Sequence, residues 1–177
     1  MQVISNIFLI TFILFLFSCY NKSDSDINEI NQRFDHEIFK PKIIISNTTS
    51  KVIEATSDYL KKNNNGEVIL HNNVNAYFFN EKNKNISKLT ADTARIDESN
   101  NNFNANGNVV VVSDSGLTLK SKTLYWDHHY SIVVTSDSVQ FTTKERDTLY
   151  GVGFESDMDL SHWKIIKPTG VTSRINN

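Results

Sequence analysis

A segment that recurs about every thirty residues limits the fold of this chain more than any other feature. Residues 89–97, 119–127 and 149–157 align at a constant offset of 30, and each copy begins with leucine and ends with aspartate. A fainter copy occupies residues 53–60. Repeats of this length arise when each copy folds as one unit and buries its apolar face against its neighbours. The chain is therefore expected to stack similar units along one direction.

A second class of apolar segment lies between the copies and keeps the same spacing. Its members are residues 74–79, 109–112 and 139–142. The whole interval between Pro41 and Pro168 lacks proline and is rich in Val, Ile, Thr, Tyr and Phe, which favours β-strands. Clusters of Asn, Asp, Ser and Gly separate the segments, and their chemistry is that of turns. They lie at residues 63–66, 100–102, 113–116 and 127–129.

Within each copy, the apolar residues switch from one alternation to the other. Leu119 and Ser121 share one face of a strand, whereas Leu124 and Trp126 fall on the opposite parity. The other copies make the same switch. A repeated switch predicts a bulge or sharp bend at one place in every unit. The sequence therefore predicts an all-β fold, a twisted open roll of repeated antiparallel strand units with an apolar inside.

The N-terminal segment is predicted to be a targeting signal and not part of this fold. Residues 7–17 are apolar except for Thr11, and as a helix they would extend roughly 16 Å against a hydrocarbon core of roughly 30 Å. This length suits a signal peptide better than a membrane span. Residues 16–19 resemble the bacterial lipobox, and Cys19 is the only cysteine. We expect residues 1–18 to be a lipoprotein signal peptide and Cys19 to be acylated; an ordinary secretory signal or a transmembrane anchor is the alternative.

Residues 19–42 are predicted to form a tether that contains a short helix. Residues 20–26 are polar, and Pro41 would end any helix that follows them. The helix is expected to lie either against the membrane and its partners or on its own domain. Four apolar residues carry the helical spacing: Ile27, Ile30, Phe34 and Ile38.

The order and spacing of several strand segments carry a family resemblance. Residues 124–127 read Leu-Tyr-Trp-Asp, residues 150–157 read Tyr-Gly-Val-Gly-Phe-Glu-Ser-Asp, and residues 167–170 read Lys-Pro-Thr-Gly. Behind a membrane-targeting segment, these closely resemble LptC, the periplasmic component of the lipopolysaccharide exporter. The likeness covers roughly residues 43–172 and is greatest to the lipoprotein form of Bacteroidetes-like bacteria.

The resemblance implies a β-jellyroll over residues 43–177, with an apolar trough for the acyl chains of lipid A. Such a protein receives lipopolysaccharide from the permease subunits of an inner-membrane ABC exporter and passes it to an LptA-like jellyroll, the next protein of the periplasmic bridge. ATP is hydrolysed in other subunits, so neither catalysis nor a cofactor is expected. The implied location is the periplasmic face of the inner membrane, with attachment through the lipid anchor; sorting to the outer membrane stays open.

An apolar trough must be lined by aliphatic and aromatic side chains, as ligand pockets generally are. Eight aliphatic and aromatic residues of the predicted strands are the lining candidates, and ordinary core packing is the alternative role for each of them. They are Val109, Val111, Leu119, Leu124, Trp126, Val139, Phe141 and Phe154. Gly151 and Gly153 are expected to let backbone pass closely at the bend.

Residues 163–167 predict a last strand, which Pro168 would end. A strand with a free edge offers unpaired N–H and C=O groups to another chain. The predicted partner edge therefore consists of Trp163, Ile165 and Ile166. The alternative is that this strand is buried within the sheet and closes the fold.

Other functional classes have weaker support. Lys and Arg number 18 against 20 Asp and Glu, so the net charge of −2 gives no electrostatic basis for binding nucleic acid. His128 and His129 lack an evident third ligand, so no metal site is predicted. The main competing function is a lipid-anchored β-sandwich that binds carbohydrate or acts in adhesion, which would expose aromatic platforms. The side of the sheet on which Trp126, Phe141 and Phe154 lie separates the two functions.

Overall fold

The computed structural model describes residues 34–63 and 66–172, and all the regular secondary structure in them is β-strand. The all-β prediction is confirmed. Residues 1–18 and Cys19, predicted as signal peptide and lipidation site, lie outside the described residues. The strands are β1 Phe34–Phe39, β2 Lys42–Ser46, β3 Lys51–Thr56, β4 Tyr59–Asn63, β5 Glu67–Phe79, β6 Asn85–Asp97, β7 Asn102–Ser113, β8 Thr118–Asp127, β9 Ile132–Thr142, β10 Thr148–Asp157 and β11 Trp163–Thr172.

All eleven strands belong to one antiparallel sheet, which divides at the middle of β5. The main path runs β1-β4-β5-β6-β7-β8-β9-β10-β11. On its outer side, β5 pairs first with β4, where Leu60 lies opposite Leu70, and then with β3, where Ala55 lies opposite Ala76. β2 pairs with β3. One strand therefore has two successive partners on the same side.

A row of β-bulges crosses the sheet at this dividing point. The pairing register shifts between His71 and Val74 on β5, between Thr90 and Thr93 on β6, between Asn106 and Val109 on β7, between Lys120 and Tyr125 on β8, and between Val152 and Phe154 on β10. Asn72, Asn73 and Asn108 have positive φ angles at the bulges, a conformation that asparagine tolerates better than most residues. The predicted bend in every unit is confirmed.

Polar side chains join neighbouring strands beside the bulges. The Asn108 side chain donates a hydrogen bond of 2.9 Å to Asp92 Oδ2. Thr123 Oγ1 donates at 2.6 Å to Asp137 Oδ2. Because a bulge interrupts the backbone ladder locally, such side-chain bonds supply some of the cohesion that the ladder loses there.

The bulges divide each long strand into two halves, and the halves form two layers that pack on each other. We call layer A the halves in line with β4 and β1, such as residues 123–127 of β8. Layer B is the set in line with β3 and β2, such as residues 138–142 of β9. Phe78 of layer B meets Trp126 of layer A edge to face, with ring centroids 5.5 Å apart. The sheet thus folds over itself at the bulge row, and the expected open jellyroll is confirmed.

The N-terminal part of the domain differs from the prediction. Residues 34–39 form strand β1, which pairs with β4, so the predicted helix is wrong for residues 34–38. Residues 27–33 lie outside the described part of the chain. The sheet also begins before residue 43, the predicted start of the domain. Phe34 and Ile38 are four residues apart, a spacing that fits a helix and also fits the period of two of a strand. Pairing with β4 selects the strand.

The sequence predicted that Pro168 would end the last strand, and this prediction is wrong. β11 continues to Thr172, and Pro168 lies opposite Gly151 beside a register shift. An edge strand accepts proline because only one of its sides must supply hydrogen bonds to the sheet. Within the described residues, β11 pairs with β10 alone, so it lies at an edge and is not buried within the sheet.

Candidate functional site

All eight lining candidates lie in the interior, and none is more than 4% exposed. They come from both layers and form part of one continuous apolar cluster. Layer A contributes Leu124, Trp126 and Phe154. Layer B contributes Val109, Val111, Leu119, Val139 and Phe141.

The candidate residues also pack against one another. Phe141 and Phe154 lie with ring centroids 5.4 Å apart, and Phe78 adds contacts to Trp126 at 5.5 Å and to Phe103 at 6.3 Å. These contacts join the two layers at closed-core distances. A hydrophobic ligand between the layers would therefore have to replace them with contacts of its own.

Sequence reasoning missed several members of the interior. Four of these side chains are at most 1% exposed: Leu70 and Phe78 on β5, Phe103 on β7 and Val133 on β9. The shared parity of apolar residues along β5 was the sequence signal that could have found two of them. The residues on that parity are all buried: Val68, Leu70, Val74, Ala76 and Phe78.

The aromatic residues that separate the two candidate functions face inward. Trp126 is 3% exposed, Phe154 1% and Phe141 fully buried. This is the placement predicted for a lipid-binding interior. A carbohydrate platform would have presented these rings to solvent.

Opposite the bulge row, the strand ends of the two layers approach along a line that we call the seam. A cavity of about 330 Å³ opens there, and we call it the seam cavity. Its apolar lining includes Phe78, Trp126 and Met158, and its polar lining includes Asn80 and His128. A second cavity of about 340 Å³ lies nearer the N-terminal end, between β2 and the layer A parts of β5 and β6. Apolar and polar groups thus meet along the seam.

The interior lining extends to the edge strand β11. Trp163 lies opposite Ser156, and Ile165 lies opposite Phe154, so both share the inner face of the sheet. Trp163 is 38% exposed, because no further strand covers it in the described part of the chain. Ile166, on the outer face, is 48% exposed. The three predicted edge residues therefore divide between the two faces.

Gly151 and Gly153 lie where β10 and β11 approach most closely. A Cβ atom on Gly151 would lie 2.2 Å from Ile165 Cγ2 and 2.7 Å from the Lys167 carbonyl oxygen. Gly153 has a φ of +77°, and its Cβ atom would lie 2.9 Å from Ile166 Cγ1. Glycine permits both the backbone conformation and the approach of β11.

A cluster of hydrogen bonds surrounds Asp157 at the end of β10. Asp157 Oδ2 accepts from Ser161 Oγ at 2.9 Å and lies 2.7 Å from His162 Nδ1. Partial burial acts to raise the pKa of Asp157, but the hydrogen bonds from His162 and Ser161 outweigh it and lower the pKa to about 2. The same contact with the carboxylate raises the pKa of His162. In mildly acidic solution, Asp157 is therefore negatively charged and His162 positively charged.

The described residues do not provide the usual elements of a metal site or a membrane helix. No group of three or more His, Cys, Asp or Glu side chains within residues 34–63 and 66–172 is arranged to hold a metal ion. His128 packs against Trp126 and His129 against Tyr130, so the two rings have different neighbours. No helix suited to crossing a bilayer occurs in this part of the chain.

Comparison with known families gives one extensive match. The family described as "Lipopolysaccharide-assembly, LptC-related" matches residues 8–172, which is most of the chain. A search among curated proteins found no match. The matched range contains every described strand, the row of bulges and the edge strand β11. The chain therefore belongs to the LptC-related family, whose members are periplasmic lipopolysaccharide transport components near the inner membrane and not enzymes.

Proposed function

We propose that this protein receives lipopolysaccharide from the permease subunits of an inner-membrane ABC exporter and passes it to an LptA-like jellyroll. The acyl chains of lipid A would travel between layers A and B. The observation that carries this proposal is the continuity of the apolar lining, which runs from Trp126 and Phe141 to Trp163 on the open edge.

The energetics favour an acyl chain as the occupant of this interior. Each buried CH₂ group contributes about 0.8 kcal/mol, so a chain of ordinary length offsets the loss of several side-chain contacts between the layers. The polar sugars and phosphates must stay hydrated. The seam provides for this, because polar groups such as Asn80 and His128 border its apolar cavity.

The two ends of the roll suit two different partners. At the C-terminal end, β11 has one free edge in the described structure, and another jellyroll strand would continue the sheet there. Lys164 and Lys167 would discourage indiscriminate pairing along that edge. At the N-terminal end, Phe39 on β1 is 78% exposed and Ile44 on β2 is 54% exposed. We place the exporter's permease subunits at this end.

We also propose that Cys19 is acylated and holds the protein at the periplasmic face of the inner membrane. A lone cysteine at the end of an apolar segment too short to span comfortably supports this anchor. A multiply acylated cysteine attaches a protein stably without a membrane-spanning helix.

The decisive experiment compares two adjacent residues of β7 that lie on opposite faces. Val111 is fully buried between the layers, whereas Val112 is 44% exposed on the outside. A photo-crosslinking amino acid is placed at each position in the full-length protein in cells, and captured lipopolysaccharide is detected on immunoblots. We expect capture at Val111 and at least tenfold less at Val112. Equal capture at both positions, or none at Val111 in a folded protein, would rule out transport through the interior.

A further inference from the structure

The turn after β10 differs from the turns after β6 and β8 at the same end of layer A. The turn after β6 is exposed at residues 98–100, and the turn after β8 is exposed at residues 129–131. The turn after β10, residues 158–162, instead sends two apolar side chains into the interior. Met158 is 6% exposed and Leu160 is fully buried, and both belong to the core cluster. We call residues 158–162 the latch turn.

The backbone of the latch turn is strained at the residue that is most deeply inserted. Leu160 has a φ of +60°, in the left-handed region that leucine normally avoids. Such strain persists only where surrounding contacts impose it, and it is concentrated at sites that switch or bind. At Leu160, burial of the side chain and a backbone hydrogen bond of 3.2 Å to the Asp157 carbonyl hold the conformation.

Asp157 fastens the latch turn through its carboxylate. Oδ1 accepts hydrogen bonds from the backbone N–H groups of Ser161 at 2.9 Å and His162 at 3.2 Å. Oδ2 binds the Ser161 hydroxyl and the His162 ring. One side chain therefore closes the turn on both sides of Leu160, and it does so at an exposed surface where the bonds can be exchanged for water.

The latch turn lies directly on the seam cavity. Asp157, Met158 and Asp159 line this cavity together with Trp126 and Phe78 of the interior. Within the described residues, the buried Trp126 Nε1 has no hydrogen-bond partner. An outward movement of the latch turn would withdraw Met158 and Leu160 from the core and join the seam cavity to the space between the layers.

We propose that the latch turn is a gate on the seam, through which an acyl chain enters or leaves the interior sideways. With the hydrogen bonds of Asp157 in place, Met158 and Leu160 occupy the path beside Trp126. When these bonds open, the strain at Leu160 favours release, and the path becomes free for the chain. This proposal rests on the proposed function, since it concerns the access of lipid to the same interior.

The test uses Trp126 as a reporter in the full-length protein. The chain has two tryptophans, so Trp163→Phe in every variant leaves Trp126 as the single fluorophore. Micelles of dibromostearic acid quench the indole when a brominated chain comes into contact with it, and stopped-flow fluorescence gives the rate. Asp157→Asn weakens the latch. Asp127→Asn is the matched control, because Asp127 occupies the equivalent position one repeat earlier and closes an exposed turn.

We expect Asp157→Asn to accelerate quenching at least threefold, with the rate of Asp127→Asn unchanged. Leu160→Gly provides a second route, because glycine keeps the left-handed backbone and removes the inserted side chain; it should accelerate quenching as well. This variant decides the question if Asp157→Asn does not fold by circular dichroism. Equal rates in all folded variants, with the same final quenching, would overturn the gate alone. No quenching in any variant would refute lipid binding in the interior, and the gate with it.

Discussion

The ring centroids of Trp163 and Phe141 lie 4.6 Å apart, and the planes of the two rings are inclined at 41°. Trp163 begins the edge strand in layer A, and Phe141 is fully buried in layer B. The contact ties the exposed end of the roll to its core. Deletion of β11 would therefore destabilise the fold as well as remove the free edge of the sheet. Point substitutions are better suited to separate the role of β11 in stability from its role as a pairing edge.

A double-mutant cycle should measure the coupling between these two rings. We expect Phe141→Ala to lower the free energy of unfolding by about 3–5 kcal/mol, because a large core side chain is lost. Trp163→Ala should cost less, since its side chain is partly exposed. The coupling energy should be about 0.5–1.5 kcal/mol, as found for aromatic pairs, and urea unfolding measures it. A coupling near zero would show that the contact contributes no stability beyond burial.

Gly153→Ala should destabilise the junction of β10 and β11. Alanine at a φ of +77° costs about 1–2 kcal/mol, and its methyl group would also press on Ile166. Gly170→Ala is the control on β11, because nothing lies within 4 Å of the added Cβ atom and its φ is not positive. Urea unfolding should separate the two variants. Equal stability would show that β11 shifts freely to accommodate the methyl group.

The Asp157–His162 pair should stabilise the protein over a limited range of pH. The lowered pKa of Asp157 gives a contribution that is present above its usual pKa of 3.8 and is lost as the pH falls towards about 2. The raised pKa of His162 gives a contribution that is present below its usual pKa of 6.5 and is lost as the pH rises through the folded-state value.

The stability lost in His162→Ala should therefore be greatest from about pH 4 to pH 6.5 and smaller on either side. Urea unfolding across this pH range measures the difference from the unmodified protein. His129→Ala serves as the control, because the His129 ring lies against Tyr130 in the preceding turn. A stability difference that does not vary with pH would contradict an ionic contribution.

Cys19→Ser should abolish stable attachment to the membrane. Without the thiol there is no site for acylation, and residues 7–17 are too short to span a bilayer comfortably. Fractionation of cells and mass spectrometry of the mature N-terminus test this outcome. An unmodified and uncleaved chain that remains in the membrane would show that the apolar segment is a transmembrane anchor.

A photo-crosslinker at Lys167 should capture the LptA-like jellyroll partner. Lys167 lies on the free edge strand, opposite Val152 of β10. Lys120 is the control, because it is also exposed but lies on β8, which has a neighbour on each side. The yield of captured partner at Lys167 should exceed that at Lys120 at least fivefold on immunoblots. Comparable yields would place the partner on the face of the sheet and not at its edge.

The sequence predicted the repeated part of this fold because each bend leaves a local trace. The change of parity between Leu119 and Leu124 records the bulge on β8, and the copies at residues 89–97 and 149–157 carry the same trace. The fainter copy was harder to interpret. Its residues belong to two strands, β3 and β4, which join opposite halves of β5, and no local pattern indicates that division.

The candidate site was also predictable in part. All eight lining candidates, chosen as apolar residues of the predicted strands, are buried in the interior. The sequence could not indicate which residues face each other, because contacts such as that of Phe78 with Trp126 depend on how the two layers fold together. Leu160 was also beyond prediction. A buried leucine with a positive φ contradicts the local preference of its residue type, and only the surrounding core and the Asp157 hydrogen bonds impose it.

Since every long strand contributes one half to each layer, a single hairpin adds a matched piece of both walls. Neighbouring strands are about 4.8 Å apart, so an additional thirty-residue unit would lengthen the interior by about 10 Å and leave its cross-section unchanged. Gain or loss of a unit would therefore change the length of the domain without any redesign of its interior. The spacing of the repeat is in effect the unit of length in which such a domain can grow.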